Sequence, residues 1–177
     1  MALIPRLAAV AASSALLLSA APGSAAAAGG PLYRFPLAGN GGSASRPVSG
    51  VAKLVPLGEP TAVAVLPSGA VVVALRDPAD EREQAWLERI SPQGRITHVA
   101  GSARTCSKRS GAPGLSACLS APVSVLAAEA DGGLLLDPGG LRVGELDRAG
   151  LLHIVAGTGY PGFSGDGGPA TDADLGG

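Results

Sequence analysis

The sequence predicts an all-β protein, a partial β-propeller of about two four-stranded antiparallel blades followed by the start of a third. Short runs of Val and Leu alternate with turn residues, and this arrangement repeats along the chain. Glycine (27 residues) and proline (15) are abundant, but 46% of the residues are hydrophobic, which is too many for a disordered chain. Because 13 basic side chains nearly balance 14 acidic ones, we expect no nucleic-acid partner.

The first 28 residues have the pattern of a secretory signal peptide. A short positive start precedes an apolar run over residues 7–20, and small residues occupy positions 24–28. The alternative is an uncleaved membrane anchor, which the helix-breaking residues between these two stretches disfavour. We therefore expect cleavage near Ala28 and a mature chain of residues 29–177, secreted by a bacterium and not attached to a membrane.

Two cysteines, Cys106 and Cys118, lie in the exported part of the chain. An even number of cysteines in an oxidising compartment predicts a disulfide between them. The alternative is a pair of metal-binding thiolates, which the lack of a CxxC spacing and of a nearby histidine disfavours.

An internal repeat predicts the architecture. Residues 94–101 and 150–157 match in register, each follows a polar turn, and each ends in Val-Ala-Gly, with a weaker copy at residues 34–41. The predicted strands are 60–66, 70–75, 86–90 and 95–99 in the first unit, and 122–127, 133–136, 141–146 and 151–155 in the second. Four antiparallel strands in each unit are typical of a propeller blade, and a β-sandwich is the alternative. The blades then span about 34–99 and 100–155, and a third begins at 156–177.

Residues 155–175, with the sequence VAGTGYPGFSGDGGPATDADL, resemble the long-loop signature of NHL-repeat propellers. This motif is found in secreted bacterial NHL proteins and, in similar form, in the teneurin ectodomain. The similarity extends over residues 34–177. The second blade departs from the family at Gly140 and Leu141, where Asn-His is usual, and the first blade retains only Asp77 at the corresponding place.

The glycine-rich loop has two interpretations. Its glycines permit positive φ angles, and Phe163 is expected to tuck under the loop as an anchor, so the loop has a purely structural explanation. The functional alternative is that Asp166, flanked by Gly165 and Gly167, binds Ca²⁺ or another polar ligand together with backbone carbonyls.

The sequence predicts no catalytic residue, metal site or cofactor. The resemblance raises the possibility of a metal site, because lyases and lactonases of similar architecture hold a metal at the propeller channel. His98 and His153 differ by one position in the repeat, which sends their side chains to opposite faces of a sheet, and we expect both to face solvent. Glu81, Glu83 and Glu88 lie among arginines and are expected to form a solvated loop.

The expected function is that of a secreted, non-enzymatic binding or scaffold module with a protein or carbohydrate ligand. Two alternatives stay open, a fragment of a metal-dependent propeller enzyme and the sensor ectodomain of a larger surface protein. Two blades leave apolar faces uncovered, so we also expect either poor folding or self-association through these faces.

Overall fold

The structure, a computed structural model, describes residues 35–77, 79, 84–101, 107, 109–120 and 122–176. The predicted signal peptide and Cys106 lie outside these residues. The described chain forms two antiparallel five-stranded sheets, neither of which closes on itself. Its helical segments are two 3-10 turns of three residues each. The all-β prediction is confirmed.

Each sheet is a meander of four strands with a short fifth strand at its edge. The first sheet has the order β1-β5-β4-β3-β2, with β1 at Gly50–Val51, β2 at Glu59–Val65, β3 at Val71–Arg76, β4 at Ala85–Ile90 and β5 at Arg95–Ala100. The second has the order β6-β10-β9-β8-β7, with β6 at Ala112–Pro113, β7 at Leu126–Ala128, β8 at Leu134–Leu136, β9 at Val143–Leu146 and β10 at Leu151–Ala156. The four strands predicted for each unit are therefore present, and the edge strands β1 and β6 are additional.

The second sheet differs from its prediction at two strands. β7 begins at Leu126 instead of Pro122, because proline has no N–H to donate and the carbonyl of Val123 accepts the Thr61 hydroxyl at 2.8 Å. β9 begins at Val143, because the residues before it leave the extended conformation. Their φ angles are 87° at Gly139, 72° at Gly140 and 56° at Leu141.

The two sheets pack against each other through their inner faces. Ala64, Val72 and Leu87 of the first sheet are buried against Leu134 and Leu136 of the second, in one continuous core. Side chains alternate between the two faces of a strand, so the neighbouring residues of each sheet point to its outer face. The outer face of the first sheet contributes to a smaller, separate core.

Candidate functional site

Three segments of the chain share an equivalent backbone hydrogen bond, and they organise the candidate site. We call them the capping segment (38–57), the linking segment (101–119, of which 102–106 and 108 lie outside the described residues) and the C-terminal segment (157–176). In each, an early glycine donates its N–H to the carbonyl where a tight turn begins: Gly39 to Ala52 at 2.8 Å, Gly101 to Gly114 at 2.9 Å and Gly157 to Ala170 at 2.9 Å. The internal repeat read from the sequence is therefore a repeat in three dimensions.

The linking segment lies between the two sheets and is bonded to both. Toward the first sheet, the Ala85 N–H donates to the Leu119 carbonyl at 3.0 Å. Toward the second, the Gly114 N–H donates to the Gly150 carbonyl at 2.7 Å, and β6 pairs with β10. This segment therefore joins one sheet to the next.

The outer face of the second sheet is an uncovered copy of a buried surface. The pairing registers place Leu135 and Val143 where Val72 and Leu87 stand in the first sheet. Leu87 is 0% exposed, but Val143 is 36% exposed and Leu135 is half-buried. The same face forms an open hollow whose rim includes Leu175 of the C-terminal segment. An apolar surface of this kind is the strongest candidate for a binding site in the described chain.

The outer face of the first sheet is partly covered by the capping segment. Ala52 is fully buried there with Ile90 and Ile96. β1 of the capping segment pairs with β5, as β6 pairs with β10 in the second sheet. Beyond the capping segment, Val63 stays 61% exposed.

Glu88 corrects the sequence interpretation. It was expected to lie with Glu81 and Glu83 in a solvated charged loop, but it lies in β4 and is fully buried, whereas Glu81 and Glu83 lie outside the described residues. The side chain points to the outer face of the first sheet, where its Oε1 accepts the backbone N–H of Val48 at 2.6 Å. Burial raises the pKa of the Glu88 carboxyl, and the hydrogen bond from Val48 opposes this shift. Glu88 is thus a tie between the sheet and the capping segment.

The predicted ligand residues Gly165, Asp166 and Gly167 lie at an exposed turn of the C-terminal segment. Gly165 and Gly167 have φ angles of 96° and 80°, and a Cβ on Gly165 would come within 2.7 Å of Ala173. These glycines therefore have a conformational role, and ligand binding at Asp166 stays a prediction.

Asp174 is the carboxylate that organises the C-terminal segment, and sequence reasoning missed it. Its Oδ1 accepts a short hydrogen bond from the Thr158 hydroxyl, and its Oδ2 accepts one from the Ser164 hydroxyl at 2.7 Å. These two bonds hold the pKa of Asp174 below its usual value. Phe163 was expected to anchor this loop, but it is 88% exposed, because Asp174 fastens the loop from within and leaves the aromatic ring outside.

The histidines have local partners. His98 is half-buried, with Nε2 at 2.8 Å from the Ala100 carbonyl, so only part of its side chain faces solvent. His153 is also half-buried, and its Nε2 lies 3.0 Å from Asp147 Oδ2. The hydrogen bonds from the Leu151 backbone N–H and from His153 lower the pKa of Asp147. The registers confirm the one-position offset between the histidines, since His98 pairs with Glu88 and His153 with Glu145.

Cys118 lies at the end of the linking segment, beside Ser107. The Ser107 N–H donates to the Ser116 carbonyl at 2.7 Å, and the Cys118 N–H donates to the Ser107 carbonyl at 3.0 Å. Because Cys106 lies outside the described residues, its disulfide with Cys118 stays a prediction.

Over the described part of the chain, His, Cys, Asp and Glu form no group of three or more that could hold a metal ion. The same residues include no helix with the length and hydropathy of a membrane span. No family model and no curated protein matches the sequence.

Proposed function

We propose that the chain is a binding or scaffold module of the secreted NHL-repeat propeller type, and that its binding surface is the outer face of the second sheet. The observation that carries the proposal is the contrast between Leu87 and Val143. The two residues hold the same place in the repeat, but one is buried by a neighbouring sheet and the other is open. A face with the composition of an interface but no cover is a docking surface.

The C-terminal segment supports this proposal, because it carries exposed aromatic side chains and its Leu175 lines the hollow of the open face. Tyr160 and Phe163 are both largely exposed on a loop that Asp174 fastens internally. Aromatic residues held on a rigid backbone are frequent energetic anchors of protein interfaces. The segment can therefore take part in binding without first having to fold.

The composition of the open face favours a protein partner over a carbohydrate. The hollow on this face is lined by the aliphatic side chains of Leu135, Leu141, Val143 and Leu175 and by Arg142 and Asp137. The paired residues Glu145 and His153 lie next to Leu135 on the same face. A carbohydrate would need many hydrogen-bonding groups on this surface, whereas the apolar face of another protein would not.

A photo-cross-linker in place of Val143, introduced into cells that express the protein, tests the proposal. We expect one discrete adduct with a protein, lost when Leu135→Asp is added to the same chain. The matched control carries the cross-linker at the exposed turn residue Gln93 and should give no such adduct. An absent adduct at position 143, or identical adducts at both positions, would overturn the proposal.

Export follows from the predicted signal peptide. N-terminal sequencing of protein recovered from the medium should begin near Gly29. Recovery of Met1 on membrane-bound material would contradict this part of the proposal.

A further inference from the structure

The internal repeat gives the chain both halves of one interface. The outer face of the second sheet copies the inner face of the first, as Val143 and Leu87 show. Conversely, Val71 and Val73 on the outer face of the first sheet hold the positions of the buried Leu134 and Leu136. The second sheet of one copy of the chain therefore complements the first sheet of another.

The capping segment occupies part of this complementary face. Its Ala52 N–H donates to the Gly94 carbonyl at 2.8 Å, just as the Gly114 N–H of the linking segment donates to Gly150. The capping segment thus contacts the first sheet in the same way as the linking segment contacts the second sheet.

In a head-to-tail pair of copies, the C-terminal segment of one copy and the capping segment of the next would occupy the same position on the first sheet. The C-terminal segment of one copy repeats the linking segment, with Ala170 at the position of Gly114. The neighbouring copy already has its own Ala52 there. β5 pairs with β4 on one side and has room for one partner on the other, where β1 of the capping segment already pairs, so the two segments compete for it.

We propose that the capping segment is a removable cap, and that the partner of the open face is the first sheet of a second copy of the chain. This inference rests on the proposed function and names the partner of the same surface. While the cap is seated, copies of the chain associate only weakly, and a photo-cross-linker at Val143 still traps the associated pair. When the cap lifts, the C-terminal segment of one copy replaces it and the sheets stack head to tail. Such a contact is heterologous, so it extends into a ring or a filament.

Asp166 gives the incoming segment a contact that the cap lacks. In the linking segment, the Ser110 hydroxyl oxygen accepts the backbone N–H of Ile154 in β10 at 3.0 Å. The repeat places Asp166 at the position of Ser110, and His98 of β5 at the position of Ile154. The capping segment has Val48 there, whose side chain accepts no hydrogen bond. The Asp166 carboxylate of the C-terminal segment can therefore accept a hydrogen bond from the backbone N–H of His98 in the second copy.

Ala52→Asp tests the inference, because it places a charge at a fully buried position of the cap and changes no residue of the four-stranded meander in either sheet. We expect sedimentation velocity to show head-to-tail oligomers that form at about tenfold lower concentration than any association of the unmodified chain. The control Lys53→Asp puts the same charge on an exposed neighbour and should sediment as the unmodified chain does.

Two additions identify the surfaces involved. Val143→Asp in the Ala52→Asp chain should return it to the monomer, and so should an excess of a synthetic peptide of residues 38–57. Asn40→Ala is a milder variant for the case that Ala52→Asp does not fold. It removes the bonds of the Asn40 side chain to the Leu54 carbonyl and the Gly42 N–H inside the cap, and it should raise association by a smaller factor.

Unchanged sedimentation of folded Ala52→Asp would overturn the inference, as would unchanged sedimentation of Asn40→Ala where Ala52→Asp does not fold. Oligomers that persist with Val143→Asp would also overturn it. The cross-linking experiment at Val143 separates this result from the proposed function. An adduct with a different protein keeps the proposed function and refutes the second copy as partner, whereas no adduct refutes both.

Discussion

The Thr61 hydroxyl donates a hydrogen bond to the Val123 carbonyl oxygen at 2.8 Å. Thr61 belongs to β2, and Val123 is a fully buried residue before β7, so this bond ties the first sheet to the second. It also gives a partner to a carbonyl that the strand ladder does not use, because β7 begins only at Leu126. A buried carbonyl without a partner would cost free energy.

We therefore expect Thr61→Val, which keeps the shape of the side chain and removes the hydroxyl, to lower the free energy of unfolding by about 1 kcal/mol. Thr97→Val is the matched control, since Thr97 is exposed and its hydroxyl lies 3.5 Å from the Arg89 carbonyl. It should change the free energy by less than about 0.5 kcal/mol. Urea unfolding measures both, and equal effects would show that the Thr61 bond does not stabilise the packing of the sheets.

Alanine substitutions at two glycines distinguish the stability cost of backbone strain from that of steric contact. Gly94 and Gly101 both have positive φ, at 76° and 90°, so alanine at either should cost about 1 kcal/mol. A Cβ on Gly94 meets no atom within 4 Å, whereas one on Gly101 would come within 2.4 Å of the Ala85 carbonyl oxygen. Gly101→Ala should cost a further ~1–3 kcal/mol. Similar thermal or urea stability of the two variants would contradict the close approach at Gly101.

Glu88 makes stability depend on pH in a defined direction. Burial raises its pKa in the folded chain, so the folded state binds this proton more tightly than the unfolded state does. The contribution of Glu88 to the free energy of unfolding is complete below its pKa in the unfolded chain, about 4.3, and is lost as the pH rises through its pKa in the folded chain. In Glu88→Gln, the free energy of unfolding measured with urea should no longer show this decrease between acid and neutral pH. Glu145→Gln serves as the control, and an identical pH profile for Glu88→Gln and the unmodified chain would contradict the assignment.

The predicted Cys106–Cys118 disulfide would close the linking segment. Pairing of the Ser107 backbone with Ser116 and Cys118 supports it, because this pairing holds the two ends of the loop together. We expect mass spectrometry without reductant to find no free thiol, and Cys118→Ser to lower the free energy of unfolding by about 3 kcal/mol. Complete alkylation of both cysteines before reduction would refute the disulfide.

The sequence predicts the strands whose residues are apolar and repeated. The Val-Ala-Gly match aligns β5 with β10 because Gly94 and Gly150 close equivalent turns, with φ angles of 76° and 82°. The edge strands β1 and β6 are not predicted, because each has two residues in a glycine- and proline-rich stretch without apolar alternation. Their pairing depends on the neighbouring strand and not on a local pattern.

The site was harder to predict than the fold. Asp166 attracted attention as the acid within the glycine run, but the organising carboxylate is Asp174, which contacts the Thr158 and Ser164 hydroxyls across the loop. From the sequence, Glu88 is interpreted as a surface residue because Arg89 follows it and the charged residues 81–83 lie shortly before it. Its burial comes from Val48, far away in the chain. The repeat itself pointed to the open face, because it aligns Val143 with Leu87, and the structure shows that Leu87 is buried and Val143 is open.

The central claim is that the outer face of the second sheet is an open copy of a buried surface, and the pair Leu87→Asp and Val143→Asp tests it most directly. We expect Leu87→Asp to abolish cooperative unfolding or to lower the free energy of unfolding by at least about 3 kcal/mol, because the charge would be buried without a partner. Val143→Asp should stay within about 1 kcal/mol of the unmodified chain. Equal and severe destabilisation by Val143→Asp would mean that this face is covered within the chain, and would contradict the account.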